Sequence, residues 1–233
     1  MQKESSSSYI VCSLGGSLVV PKSGFDDVFV KGFINLVKER VAQGTRFIII
    51  VGGGSTCRNY QEASGRVRPL SNTDLDWIGI HTTHLHAHII RLLFAELAHT
   101  EIISDPTVAI ETDAPVIVGG GWKPGWSTDY DAVLLAERFG ANRVINLSNI
   151  EHVYSADPRI VPDAEKFTDL SWEQYRALLP AEWSPGLSTP FDPIASAHAE
   201  KSGISVSICG GGSLDNIARC IDGKDFVGTI IRP

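Results

Sequence analysis

At 233 residues, with 43% hydrophobic and 20% charged side chains, the chain has the length and balance of a soluble globular protein, built as one large domain or two intimately joined ones. A net charge of −7 argues against nucleic acid as a partner, although a local basic patch can still hold a phosphorylated small molecule. Residues 1–8 are polar and serine-rich without an apolar core, so they read as a disordered tail and as neither a signal peptide nor a membrane span; no membrane partner is expected.

Tyr9 to Leu14 is an apolar run that predicts a buried strand, stopped by Gly15-Gly16-Ser17. Between Asp26 and Ala42, Val30, Phe33, Ile34, Val37 and Val41 recur at helical spacing, and Gly44 is placed to end that helix. Phe47 to Val51 is a second apolar strand, broken by Gly52-Gly53-Gly54-Ser55 and followed by a helix carrying Arg58. Strand, glycine loop and helix thus occur twice before residue 60, a pattern that predicts a parallel sheet with helices on its faces.

Asp74 to Ala98 predicts a long helix with an apolar stripe at Leu75, Ile78, Leu85, Ile89 and Leu92, and His81, His84 and His88 share one face beside it. Imidazoles one turn apart can share a zinc ion, but no H-E-x-x-H pattern completes a site, and an interface or half-buried face fits the spacing better. Ile102-Ile103 and Val108 to Ile110 are short strand candidates. The apolar run Pro115 to Val118 then enters Gly119-Gly120-Gly121-Trp122-Lys123-Pro124-Gly125-Trp126-Ser127-Thr128-Asp129, and a helical pattern resumes at Ala132. A strand ending in glycines, then hydroxyls and an acid, then a helix presents N–H and hydroxyl donors to an anion such as phosphate; plain turn punctuation is the competing reading.

Arg143 to Leu147 predicts another strand, and Ser148-Asn149 opens a long polar connection containing Val153-Tyr154-Ser155-Ala156-Asp157-Pro158. There an aromatic closely followed by an acid suits a nucleotide, while an Asp-Pro turn explains the same residues. Pro180 to Pro190 reads as a loop, Asp192 to Lys201 as a helix with Asp192 at its N-cap, and Ser205 to Cys209 as a strand ending in Gly210-Gly211-Gly212-Ser213. Leu214 to Ile221 is a short helix, and Phe226 to Ile231 closes the chain as an edge or terminal strand. Cys12, Cys57, Cys209 and Cys220 have no metal-type spacing and fit a reduced, cytoplasmic setting.

Four apolar strands therefore end in glycine loops, at Gly15, Gly52, Gly119 and Gly210. In a parallel sheet such ends share one edge, where ligands bind. None of the loops matches the Walker or dinucleotide pattern, and several phosphate-cradling loops together suggest phosphoryl transfer between two bound phosphates, with cations and Mg²⁺ neutralising charge.

Leu14-Gly15-Gly16-Ser17, Val51-Gly52-Gly53-Gly54 with Arg58 and Tyr60, Asp76 to Ile80, Pro124 to Asp129, Val153 to Pro158 and Phe191-Asp192-Pro193, in this order, resemble the amino acid kinase superfamily, and within it the archaeal-type UMP kinases. The resemblance runs from about Ile10 to Pro233. It implies an α/β fold, a three-layer αβα sandwich with a mostly parallel central sheet, as a single domain over residues 9–233, with the acceptor part mainly 9–140 and the ATP part mainly 141–233. It also implies transfer of the ATP γ-phosphate to UMP with Mg²⁺, in a cytoplasmic homo-oligomer, a hexamer built as a trimer of dimers with the 74–98 helix as a contact.

Carried over residue by residue, the resemblance gives Gly53 and Asp76 to the UMP nucleoside, and Trp122, Lys123, Pro124, Gly125, Trp126, Ser127 and Thr128 to the UMP phosphate loop. It gives Gly16, Ser17, Gly54 and Arg58 to the ATP phosphates, and Ser148, Asn149, Tyr154 and Asp157 to the ATP nucleoside. Asp129 matches the acid that orients catalytic cations, and no protein-held metal is expected. The lysine that many members carry two residues before the first glycine is Ser13 here, which leaves the transition-state cation to Lys123, Lys22 or Arg58, in that order. Trp122 and Trp126 stand where small or polar residues are common. Two alternatives accordingly stay open: a relative that phosphorylates another small acid or phosphate, and a non-catalytic nucleotide- or oxyanion-binding storage protein on the same fold, in the manner of the molybdenum storage proteins.

Overall fold

The computed structural model describes residues 9–179 and 189–233; the expected tail and most of the Pro180–Pro190 loop lie outside them. The first half runs β1 (Tyr9–Leu14), α1 (Gly16–Val19), α2 (Asp27–Val41), β2 (Arg46–Val51), α3 (Gly54–Val67), α4 (Asn72–Phe94) and β3 (Val116–Gly119). The second half runs α5 (Thr128–Arg138), β4 (Arg143–Ser148), β5 (Val153–Tyr154), β6 (Lys166–Phe167), β7 (Asp169–Ser171), α6 (Trp172–Ala177), α7 (Pro193–Lys201), β8 (Ser205–Gly210), α8 (Leu214–Ile221) and β9 (Gly228–Arg232). Several helix starts follow directly from capping residues: Asp26 accepts the Phe29 N–H, Ser71 and Asp74 form a reciprocal capping box, and Asp192 accepts the Ala195 N–H ahead of Pro193.

Seven strands form one sheet in the order β3-β2-β1-β4-β8-β9-β7. The pairs β3–β2, β2–β1, β1–β4 and β4–β8 are parallel. Alternation along the strands sends Cys12, Leu14, Phe47, Ile49 and Val51 to one face, where they pack with Phe33, Val37, Ile90 and Phe94 of α2 and α4. Val11, Ile48 and Ile50 go to the other face, against Ala132 and Leu135 of α5 and Trp172 and Tyr175 of α6. The result is the expected three-layer αβα sandwich with a mostly parallel sheet.

Three expectations need correction, and two elements are additions. Phe226 to Ile231 is no edge: β9 is antiparallel to β8 and pairs on its other side with β7, so the terminal strand lies inside the sheet. The β7 strand and α6 were not foreseen, because three strand residues, Asp169 to Ser171, are too few to show a period. Val108 to Ile110 forms no strand, and Ile103 makes only an isolated bridge to Gly119. On α4 the stripe through Leu85 and Leu92 faces outward, at 54% and 64% exposure; the core-facing side is Ile80, Thr83, Ala87, Ile90 and Phe94, with His86 buried among them.

Candidate active site

The ends of β1 and β2 interlock through glycine. A Cβ on Gly16 would lie 2.1 Å from the Gly54 nitrogen, and one on Gly54 would lie 2.3 Å from the Gly16 oxygen, so neither loop accommodates a side chain at the crossing. Gly54 also has φ of 59°, the left-handed region that favours glycine. Backbone hydrogen bonds join Gly52 N–H to Leu14 O at 2.9 Å and Gly15 N–H to Leu147 O at 2.7 Å, and the buried His86 Nδ1 donates to Gly52 O at 3.0 Å. Gly53 caps α3 beside them, where an added Cβ would come 2.7 Å from Cys57 Cβ.

The loop from Gly120 to Ser127 is held mainly by α4 and α5. Thr83 Oγ1 accepts the Gly121 N–H at 2.8 Å, and His84 Nε2 donates to Gly121 O at 2.7 Å. Burial holds His84 below the usual histidine range, against the Gly121 hydrogen bond, which raises it. Asp76 Oδ2 accepts the Gly125 N–H at 2.8 Å, and Asp131 Oδ2 accepts the Trp122 N–H at 3.2 Å. Ser127 caps α5 by accepting the Tyr130 N–H, placing Thr128 at the first helical position. Trp122, Trp126 and Tyr130 form an aromatic row with centroid separations of 5.9 and 4.2 Å. The Lys123 ammonium sits 3.7 Å over the Trp122 ring and makes no ion pair among the described residues. Pro124 is half-buried in the same loop.

Asp129, in the first turn of α5, joins the two halves of the edge. Its Oδ1 accepts from Ser13 Oγ at 2.8 Å and Asn146 Nδ2 at 2.9 Å, and its Oδ2 accepts the Asp192 N–H at 3.3 Å. Burial pushes its carboxyl up to about 6, against the Ser13 hydrogen bond, which pulls it down; the Asp192 charge adds to the rise. Strands β1 and β4 and helices α5 and α7 thus meet at one carboxylate.

On the far side, Ser17, Leu18, Asn149 and Gly210 to Gly212 line a cavity of about 340 Å³ between the first and last glycine loops. The Ser148 hydroxyl accepts the Ile150 N–H at 3.1 Å and shapes the turn after β4. Tyr154 stands half-buried in the β5–β6 hairpin, edge-on to His152. Asp157 is already engaged: Arg159 hydrogen-bonds both its oxygens and holds its carboxyl at about 2, and its Oδ1 also accepts the Arg159 N–H, as in a turn. Arg58 is exposed on α3 and forms no ion pair among the described residues.

Sequence reasoning missed Asp131 and the anchoring roles of Thr83 and His84. Nothing in sequence distinguishes a buried Asp131 from a solvated helix acid. No group of three or more His, Cys, Asp or Glu side chains among the described residues is placed to hold a metal ion, and His84 of the histidine face is committed to Gly121.

A model of the amino acid kinase family matches residues 8–210. The chain belongs to the amino acid kinase family. Among its relatives in that family, the uridylate kinase of Sulfurisphaera tokodaii is 33% identical over 225 residues, spanning 93% of this chain and 99% of that protein. The uridylate kinase of Pyrococcus abyssi is 32% identical, spanning 96% and 99%. The crystal structure of uridylate kinase from Archaeoglobus fulgidus superposes with a TM-score of 0.80 at 32% identity, covering 96% of this chain and 99% of that one. The UMP kinase of Bacillus anthracis, at 16% identity and a TM-score of 0.75, shares the amino acid kinase fold.

Proposed function

We propose that this chain is an ATP-dependent UMP kinase that transfers the γ-phosphate to UMP and yields UDP for pyrimidine nucleotide synthesis in the cytoplasm. The observation that carries this reading is the convergence on Asp129 of the ends of β1 and β4, the start of α5 and the N-cap of α7, next to the glycine loops proposed to cradle the two phosphates. Full-length similarity to uridylate kinases supports it.

Acceptor phosphate enters the loop from Trp122 to Thr128, where backbone N–H groups at the start of α5 and the Lys123 ammonium face it. Gly53 and Asp76 bound the nucleoside side; Asp76 holds Gly125 and keeps Oδ1 for a ribose hydroxyl. Gly16, Ser17 and Gly54 cradle the ATP phosphates with Arg58 beside them, and Ser148, Asn149, Tyr154 and Asp157 border its nucleoside. The acceptor part is mainly residues 9–140 and the ATP part mainly 141–233. Asp129 touches neither phosphate in this scheme; ionised, it fixes Ser13, Asn146 and the Asp192 backbone so that the two phosphates meet in line. Lys123 supplies the positive charge that Ser13 does not. Magnesium enters with the substrate as MgATP, held largely by phosphate oxygens and water. The outward α4 face, with Trp77, Leu85 and Leu92 exposed, supports a subunit contact within a hexamer built from dimers.

Turnover with MgATP and UMP, CMP, dUMP or acyl-phosphate acceptors tests the reading. UDP formation with UMP preferred is the expected result, and an acceptor screen in which UMP is inert overturns it.

A further inference from the structure

Asp131 is an acid that the transfer scheme leaves unused. It is 1% exposed; Oδ2 accepts the Trp122 N–H at 3.2 Å, while Oδ1 has no partner among the described residues. Burying a carboxyl this deeply is unfavourable unless it holds something in return. Helix α5 does not need it, because Ser127 provides the cap and Ala132 and Leu135 provide the packing. The N–H that it accepts belongs to the residue whose ring carries the Lys123 ammonium at 3.7 Å, so a shift of Trp122 moves ring and cation together. Asp76 fixes the other end of the same four residues at Gly125. The acids facing Asp131 are Asp129 from its own helix and Asp105 from the segment before β3; with burial as the larger cause, they push its carboxyl up to about 7. It therefore holds the loop without a full charge beside Asp129 at neutral pH.

We propose that Asp131 is a positioning residue for the acceptor: by holding the Trp122 N–H, it sets where the Trp122 ring presents the Lys123 ammonium to the acceptor phosphate. This rests on the UMP kinase reading.

The test compares Asp131→Ala, which removes the acceptor oxygen, with Asp131→Asn, which keeps it; Asp131→Val, which also has no acceptor, replaces alanine if that variant does not fold. For Asp131→Ala kcat/KM for UMP falls roughly 3- to 10-fold, the worth of one hydrogen bond, through a raised KM for UMP and a lowered kcat, while the KM for ATP stays put. Asp131→Asn returns the KM for UMP to within about 2-fold of wild type. Equal rises in both KM values, or an asparagine variant no better than alanine, overturn the proposal. In ligand-free protein, near-ultraviolet circular dichroism changes with Asp131→Ala and not with Asp131→Asn; an unchanged alanine spectrum overturns the tether whatever the acceptor is. Wild-type protein that leaves UMP untouched instead overturns the UMP kinase reading, and the ligand-free spectrum then decides the tether alone.

Discussion

The Ser13 hydroxyl donates to the Asp129 carboxylate at 2.8 Å, linking the end of β1 to the first turn of α5. A serine can fix the carboxylate but brings no positive charge to a transferring phosphate. The hydrogen bond also opposes the burial that raises Asp129 to about 6. Activity that needs ionised Asp129 therefore has an acid limb near pH 6, and Ser13→Ala moves that limb up by about one pH unit. Profiles of kcat against pH check this; an unmoved limb contradicts the role given to Asp129.

Stability runs the opposite way with pH. Asp129 and Asp131 both rise on folding, from the ordinary aspartate value of 3.8 to about 6 and about 7, so their protonated forms favour the fold. Their contribution is full below about pH 4 and is lost as pH climbs through about 7. Urea midpoints fall between pH 5 and pH 8 for the wild type, and Asp131→Asn flattens that fall. A wild-type midpoint that rises over the same range shows other groups dominating.

Gly16→Ala drives a Cβ into the backbone of the neighbouring loop, 2.1 Å from the Gly54 nitrogen. Backbone cannot swing aside as a side chain can, and the loss exceeds about 4 kcal/mol. Thermal unfolding and ATP binding should fail together in this variant, whereas Gly65→Ala, whose Cβ meets nothing within 4 Å, leaves both intact.

Lys123→Met keeps a long apolar side chain over Trp122 and removes only the charge. With Lys123 as the transition-state cation, kcat drops about 10²- to 10³-fold with the fold preserved. The fall is read from initial rates at saturating UMP and ATP. A drop confined to KM for UMP would assign Lys123 to binding alone.

Trp77 and Leu85 lie outward on α4, 44% and 54% exposed. Charging that surface with Trp77→Glu plus Leu85→Glu splits the proposed assembly into smaller species by sedimentation, with the melting temperature of the subunit little changed. An unaltered sedimentation coefficient places the contact elsewhere.

Much of this architecture was legible because β1, β2, β3 and β8 are largely apolar runs ended by glycine, and because Asp26 and Asp192 are strong caps. The α4 orientation was not. Its outward leucines outweigh the smaller inward Ala87, Thr83 and His86, so periodicity alone selects the wrong face. His86 is inward because Gly52 O offers it a partner, a contact 34 residues away along the chain. In the site, the loop from Gly119 to Asp129 was readable as a glycine-rich passage from a strand into a helix, but its anchors Thr83, His84 and Asp131 depend on tertiary approach to backbone atoms, which leave no trace in residue type.

The inward position of β9 governs the order in which the molecule can be completed. Among the described residues strand β7 has no neighbour in the sheet except β9, and Thr229 also holds the hairpin that carries Tyr154: its Oγ1 accepts the Val153 N–H at 2.9 Å and donates to Phe167 O at 2.5 Å. During synthesis, β1 to β4 can pair as they emerge, whereas the hairpin and β7 must wait for residues 228–232. A ribosome-stalled chain ending before β9 should thus present an assembled 119–129 loop with residues 153–171 still unfastened.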